Sequence, residues 1–194
     1  MPRKTLALIS GLVLVTIILF VIALNNSRNA PSTPPVVMPE MSQAPSMAPT
    51  SPAHSVLTLS PNPIDVLPGV KGTVNVNLDT SDNEVTAVQL EIAYDPNFIS
   101  NVKVTPTDLF TSPVVFINNN NAKTGRYTYA FGIMPNHNAV KGIGSAATIT
   151  FTALNKPGET SQLSLLPTTL VTARGVTSSV LKSATGTLVE ITQP

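Results

Sequence analysis

Val85–Ile99, VTAVQLEIAYDPNFI, decides how the chain is read. Val88, Leu90, Ile92 and Tyr94 alternate with Gln89, Glu91 and Ala93. A period of two puts one set of side chains into a core and the other into water, which is the pattern of a half-buried strand. Asp95-Pro96-Asn97 ends it, because proline offers no N–H to a ladder and fixes its own φ. Asp95 is expected to organise that turn. Phe98 and Ile99 then restart the apolar pattern.

The same period recurs on both sides of this strand. Upstream, Val56–Ser60 is expected to be a first strand, and Thr73–Asp79 alternates Val74, Val76 and Leu78 with Asn75 and Asn77. Downstream, strands are expected over Ile99–Val104, Val114–Ile117, Arg126–Ile133, Ala147–Leu154, Gln162–Leu166, Leu170–Ala173 and Gly186–Thr192. In Arg126–Ile133, Tyr127, Tyr129, Phe131 and Ile133 share one side, and Thr128, Ala130 and Gly132 the other. Thr107–Phe110 is expected to form a helical turn capped by Thr107. Asn118–Gly125 reads as a polar hairpin loop. About nine short strands rich in Val, Ile and Thr, with no repeat of fixed period, predict an all-β sandwich with a jelly-roll path over residues 56–194.

The first 55 residues have a different composition. Arg3 and Lys4 precede an uncharged run, Thr5–Leu24, whose 20 residues make about 30 Å of helix, the thickness of a bilayer core. Residues 1–24 therefore read as one N-terminal transmembrane helix, an uncleaved signal anchor. The basic pair, against the single Arg28 beyond the run, puts the N-terminus in the cytoplasm and the remainder outside it. Residues 25–55 hold prolines 31, 34, 35, 39, 45, 49 and 52 among Ser, Ala, Thr and Met. Such a segment cannot bury enough apolar surface to offset chain entropy, so a disordered linker is expected, reaching up to about 95 Å in extended form.

Composition bounds the chemistry. The 194 residues include no Cys and no Trp, 11% are charged, and the formal net charge is +1. Disulfides and thiol catalysis are excluded. Residues 56–194 carry eight Lys/Arg against nine Asp/Glu, which disfavours nucleic acid. His137 is the domain's histidine and sits in a loop, and the acids Glu91, Asp95 and Asp108 are scattered. Neither supplies the nucleophile and base, or the paired carboxylates, that hydrolysis requires, so no enzyme and no cofactor is expected. Asp79, Asp82 and Glu84 lie close in one polar loop and leave a Ca²⁺ site open, although the EF-hand spacing is missing.

With these pieces in order, the chain resembles a cohesin domain over roughly Val56–Thr192. The resemblance rests on Leu57-Thr58-Leu59-Ser60-Pro61 leading to Val66-Leu67-Pro68-Gly69, on Val74–Leu78, and on the strand ending Tyr94-Asp95-Pro96-Asn97. Val102–Phe110 and Gly142–Phe151 complete it. It implies a nine-stranded jelly roll that binds dockerin modules borne on enzymes, in many members for polysaccharide breakdown and in some at cell surfaces. Type I members carry an Asn and an Asp facing outward on the Tyr-Asp-Pro strand. Here Ala87 and Gln89 stand at those positions, which leaves a divergent partner open.

The expected work is thus non-covalent. A dockerin-like protein would be held on an outward face including Gln89, Glu91, Thr128 and Ala130, with the module displayed from the membrane through residues 5–24. A surface carbohydrate-binding module and a structural envelope protein remain as alternatives. The direction of Tyr127 and Tyr129 bears on the former, since sugar rings stack on exposed aromatics.

Overall fold

A computed structural model describes residues 53–193; the apolar run and the proline-rich stretch lie outside them. Among the described residues every regular element is a strand, and no helix is long and apolar enough to cross a membrane.

Twelve strands form two sheets. They are β1 (Ser55–Ser60), β2 (Ile64–Val66), β3 (Lys71–Asp79), β4 (Val85–Ala93), β5 (Ile99–Pro106) and β6 (Val114–Asn121), followed by β7 (Arg126–Gly132), β8 (Ile143–Ala153), β9 (Thr160–Leu165), β10 (Leu170–Ala173), β11 (Leu181–Thr185) and β12 (Thr187–Ile191). One sheet runs β11-β1-β3-β8-β5. The other runs β2-β12-β9-β4-β7-β6, with β10 beside β4. Neighbours are antiparallel except β1 with β11 and β12 with β2, which are parallel.

The two-residue period places the core where the sequence predicts. Val88, Leu90 and Ile92 of β4 are buried, as are Val74, Val76 and Leu78 of β3 and Ile149 and Phe151 of β8. Val85 is buried as well, three residues from Val88. The ladder explains this apparent break: Ala173 pairs Val85 while Thr172 pairs Ala87, so Thr86 is the extra residue of a bulge. On β7 the rings of Tyr127, Tyr129 and Phe131 line up inside, at 5.9 and 5.8 Å between centroids. Phe110 meets Phe131 edge-on at 5.2 Å, the arrangement that the ring quadrupoles favour.

Three expectations need correction. There are twelve strands, not about nine: the ten expected segments are all strands, and β2 and β11 are short edge pieces added to them. Thr107–Phe110 is a turn without a helix. The Thr107 hydroxyl donates to the Ser145 carbonyl and its N–H to the Ala146 carbonyl, so Thr107 is committed to β8 and caps nothing. Asn118–Asn121 is strand rather than loop. Its amides are recruited by buried hydroxyls: Tyr127 donates to Asn118 Oδ1 at 2.7 Å and Tyr94 to Asn120 Oδ1 at 2.9 Å. Asn120 Nδ2 donates in turn to the Val102 carbonyl at 2.9 Å, joining the open edges of the two sheets.

Candidate protein-binding face

The outer face of β10, β4, β7 and β6 gathers the residues singled out from the sequence. Alternation turns Gln89 and Glu91 away from the core, and the antiparallel register sets Gln89 opposite Ala130 and Glu91 opposite Thr128. On the flanks, Leu170 pairs Gln89 and Ile117 pairs Ala130. One row across four strands therefore reads Leu170, Gln89, Ala130, Ile117. The row above it holds Glu91, Thr128 and Asn119, and the row below it Thr172, Ala87, Gly132 and Val114.

Hydrogen bonds fix the centre of this face. Gln89 Nε2 donates to Glu91 Oε1 at 2.9 Å, and Thr128 Oγ1 donates to Glu91 Oε2 at 2.8 Å. The Glu91 N–H donates to Thr169 Oγ1 at 3.2 Å. Both oxygens of the single carboxylate are thus held, and its rotamer is set before any partner arrives. Such preorganisation lowers the ordering cost of association. Ala130, flanked by larger cross-strand partners, is only 7% exposed and makes the floor between them.

Leu170 and Ile117, 40% and 39% exposed, were not expected on this face. The available signal was that Val114–Ile117 is apolar without alternation, so some of its side chains must point outward. The bulge at Phe116, where Val115 pairs Phe131 and Ile117 pairs Ala130, decides which. Beside Leu170 the face adjoins a groove of about 300 Å³ running past Leu165, Pro167 and Leu181.

The other candidate sites separate. Asp79 accepts the Ser81 N–H at 2.8 Å, Asp82 meets His54 Nδ1 at 2.9 Å, and Glu84 pairs Lys141 at 2.7 Å and Arg174 at 3.7 Å. Their carboxylates thus turn to three different neighbours. Among the described residues no three His, Cys, Asp or Glu side chains converge as metal ligands. The hydrogen bond from Lys141 holds the Glu84 carboxyl below the usual carboxylate range, and the one from His54 does the same for Asp82. His137 lies exposed in the β7–β8 loop, where its carbonyl accepts Arg174 Nη2 at 2.9 Å.

All three tyrosines of the chain point inward: Tyr94 is 7% exposed, and Tyr127 and Tyr129 are each 3%. No tyrosine is therefore exposed for sugar stacking, and among the described residues Phe116 on β6 is the aromatic ring left exposed. Burial raises the hydroxyl pKa of all three above the ordinary tyrosine value. A raised folded-state pKa means stability that is complete below pH about 10 and is lost as pH climbs through the folded values. A phenolate absorbance titration is expected to lag free tyrosine and to finish only with unfolding. A titration complete while the β-sheet circular dichroism is intact would contradict this placement.

Comparison with known proteins agrees with the architecture. The family model described as "Cohesin domain" matches residues 63–191. A search of curated proteins found no match. Among solved structures, the chain is similar to the sixth cohesin of scaffoldin B from Acetivibrio cellulolyticus, solved with a Cel5 dockerin. The identity is 20% and the TM-score 0.61, over 71% of this chain and 98% of that one. It is also similar to CaCohA2 from Clostridium acetobutylicum, at 20% identity and TM-score 0.57 over 71% and 91% of the two chains. A third similar structure is a non-cellulosomal cohesin from the hyperthermophilic archaeon Archaeoglobus fulgidus, at 15% identity and TM-score 0.57 over 73% and 93%. The sandwich, its ordered strand motifs and the family match over residues 63–191 together establish that this chain belongs to the cohesin domain family.

Proposed function

We propose that this chain is a non-catalytic module that holds a dockerin-bearing protein on the outer face of β10-β4-β7-β6, outside the cell. Residues 5–24 would be its single membrane anchor and residues 25–55 its spacer. The observation that carries the reading is the row Leu170, Gln89, Ala130, Ile117 with the braced Glu91 beside it. Apolar flanks around a small flat floor, with one oriented polar group, suit a protein partner whose charged residues stay at the rim. Ala87 and Gln89 stand where type I relatives place an Asn and an Asp. A partner matched to this chain would accordingly present apolar contacts and an amide-compatible group at the centre rather than a pair of donors for carboxylate and amide. Outward tyrosines would have favoured a sugar-binding face, and the tyrosines point inward.

The test is calorimetric titration of the detergent-solubilised full chain against a panel of dockerin modules of differing specificity. At least one is expected to bind with micromolar affinity or better. Silence across the whole panel, with the chain folded, overturns the proposal. Added protease should also remove the β-domain from intact cells; protection of the domain would overturn the extracytoplasmic placement.

A further inference from the structure

Five strands border the two sheets on one side, and four of them carry protection against pairing with another chain. β10 is four residues long, and its Val171 carbonyl already takes the Val180 N–H at 2.9 Å. β2 is three residues long, contains Asp65 and follows Pro63. β11 is five residues long and contains Lys182. β5 contains Lys103, ends at Pro106, and is bulged between Ser100 and Lys103 with Asn101 at φ +52°. Short length, lysine, proline and bulges are the devices by which native sheets blunt their edges. β6 differs. Its eight residues, VVFINNNN, include no charge and no proline. Val115, Phe116 and Ile117 are 43%, 55% and 39% exposed. The bulge at Phe116 is its one irregularity and leaves Ile117–Asn121 as regular, unpaired edge.

We propose that this edge is where a second copy of the chain docks, by antiparallel pairing of Ile117–Asn121 about a two-fold axis at Asn119. Two observations favour a second copy over a foreign strand, and a third favours pairing as such. The strand has no charge, so identical copies meet without repulsion, whereas nothing on it selects a charged partner. Asparagine is both donor and acceptor, so Asn119 facing its own counterpart is satisfied with no other residue type, as an isologous contact requires. The side chains of Asn118 and Asn120 are already held inward by Tyr127 and Tyr94, which keeps the strand extended and reduces the entropy lost on pairing. In this register Ile117 faces Asn121, and Phe116 lies against the turn that begins at Ala122. A two-fold axis normal to the sheet leaves both outer faces on the same side of one continuous sheet. The pair would present two binding faces together, and a partner with two matching modules would gain from the raised effective concentration. The pairing itself does not depend on what those faces hold.

The chain has no cysteine, so Asn119→Cys introduces a single thiol. Directly opposed residues in an antiparallel pair have Cα atoms about 4.5–5.5 Å apart, within disulfide range. The full-length variant in detergent, under mild oxidation, is expected to give a covalent dimer at concentrations where Thr73→Cys, on the outer face of the other sheet, stays monomeric. Asn119→Asp sets two carboxylates against each other and is expected to weaken self-association of the otherwise unchanged chain roughly tenfold or more by light scattering. The proposal is overturned by Asn119→Cys cross-linking no faster than Thr73→Cys. It is also overturned by a parent chain that is monomeric throughout, or by a dimer that Asn119→Asp leaves intact, which would belong to another contact such as the apolar N-terminal run.

Discussion

Gly125→Val should destabilise the β-domain severely: its cooperative melting transition is expected to fall by roughly 10 °C or more. Gly125 has φ +64°, and a Cβ there would sit 1.9 Å from the Tyr94 carbonyl oxygen and 3.0 Å from Pro96 Cδ. Neither neighbour can retreat. The Tyr94 N–H donates to the Gly125 carbonyl at 2.9 Å, which clamps the two backbones together, and Tyr94 itself is buried. Left-handed backbone alone costs an L residue roughly 1–2 kcal/mol, and more when branched at Cβ. Relieving the overlap as well means opening the end of the β4–β7 ladder, where Ala93 pairs Arg126. The combined cost, about 4 kcal/mol or more, is a large part of the 5–15 kcal/mol that holds an ordinary domain together. Gly158 provides the contrast. Its φ is +79°, but the nearest atom to a built Cβ is Gln193 Nε2 at 3.5 Å, so Gly158→Ala should cost only about 1 kcal/mol. Equal melting temperatures for the two variants would show that the Tyr94–Gly125 clamp is not the constraint described.

The contrast between those glycines also marks what a sequence shows and what it withholds. The alternations in β3, β4, β7 and β8 were legible because each strand has one face in the dry interior, and burial imposes the period directly. β11, LKSAT, was not legible, because only Leu181 and Ala184 are even partly buried. Its ladder to β1 holds it, and backbone hydrogen bonds leave no trace in side-chain pattern. The Asn run of β6 has loop-like composition, and it is strand because Tyr127, across the hairpin, and Tyr94, on the far side of β5, find their acceptors there. The binding face divides in the same way. That Gln89, Glu91, Thr128 and Ala130 point outward follows from alternation alone. That they are neighbours, with Glu91 held between Gln89 and Thr128, depends on the register of β4 against β7, two strands separated in the chain by β5 and β6. The outward placement of Leu170 depends on the β10–β4 ladder, and that of Ile117 on the β6–β7 ladder with its bulge at Phe116. An apolar residue on a strand is read as core by default, and only the partner strands reveal which ones are not.

Gln89→Arg should reduce affinity for a bound dockerin about 100-fold while leaving the melting temperature nearly unchanged. Gln89 stands in the middle of the row, between Leu170 and Ala130, and is only partly buried in the free domain. An arginine there can extend into water and along the floor formed by Ala87, Ala130 and Gly132, so the unbound fold loses little beyond the hydrogen bond to Glu91. Association changes the balance. A partner seated on Leu170 and Ile117 would have to cover the guanidinium, and a charge buried at the centre of an interface without a built counter-charge costs several kcal/mol, against a tenfold loss per 1.4 kcal/mol. Glu91 offsets only part of the cost: the substitution frees its Oε1, while Oε2 stays with Thr128, and the longer arginine must still be desolvated and fitted under the partner. Gln89→Ala separates the two contributions: it removes the amide without adding charge, and should weaken binding by less than about tenfold. Thr73→Arg adds the same charge on the opposite sheet and should bind as the parent does. If Thr73→Arg abolishes binding while Gln89→Arg preserves it, the partner uses the β3–β8 side of the sandwich, and the face assigned here is the wrong one.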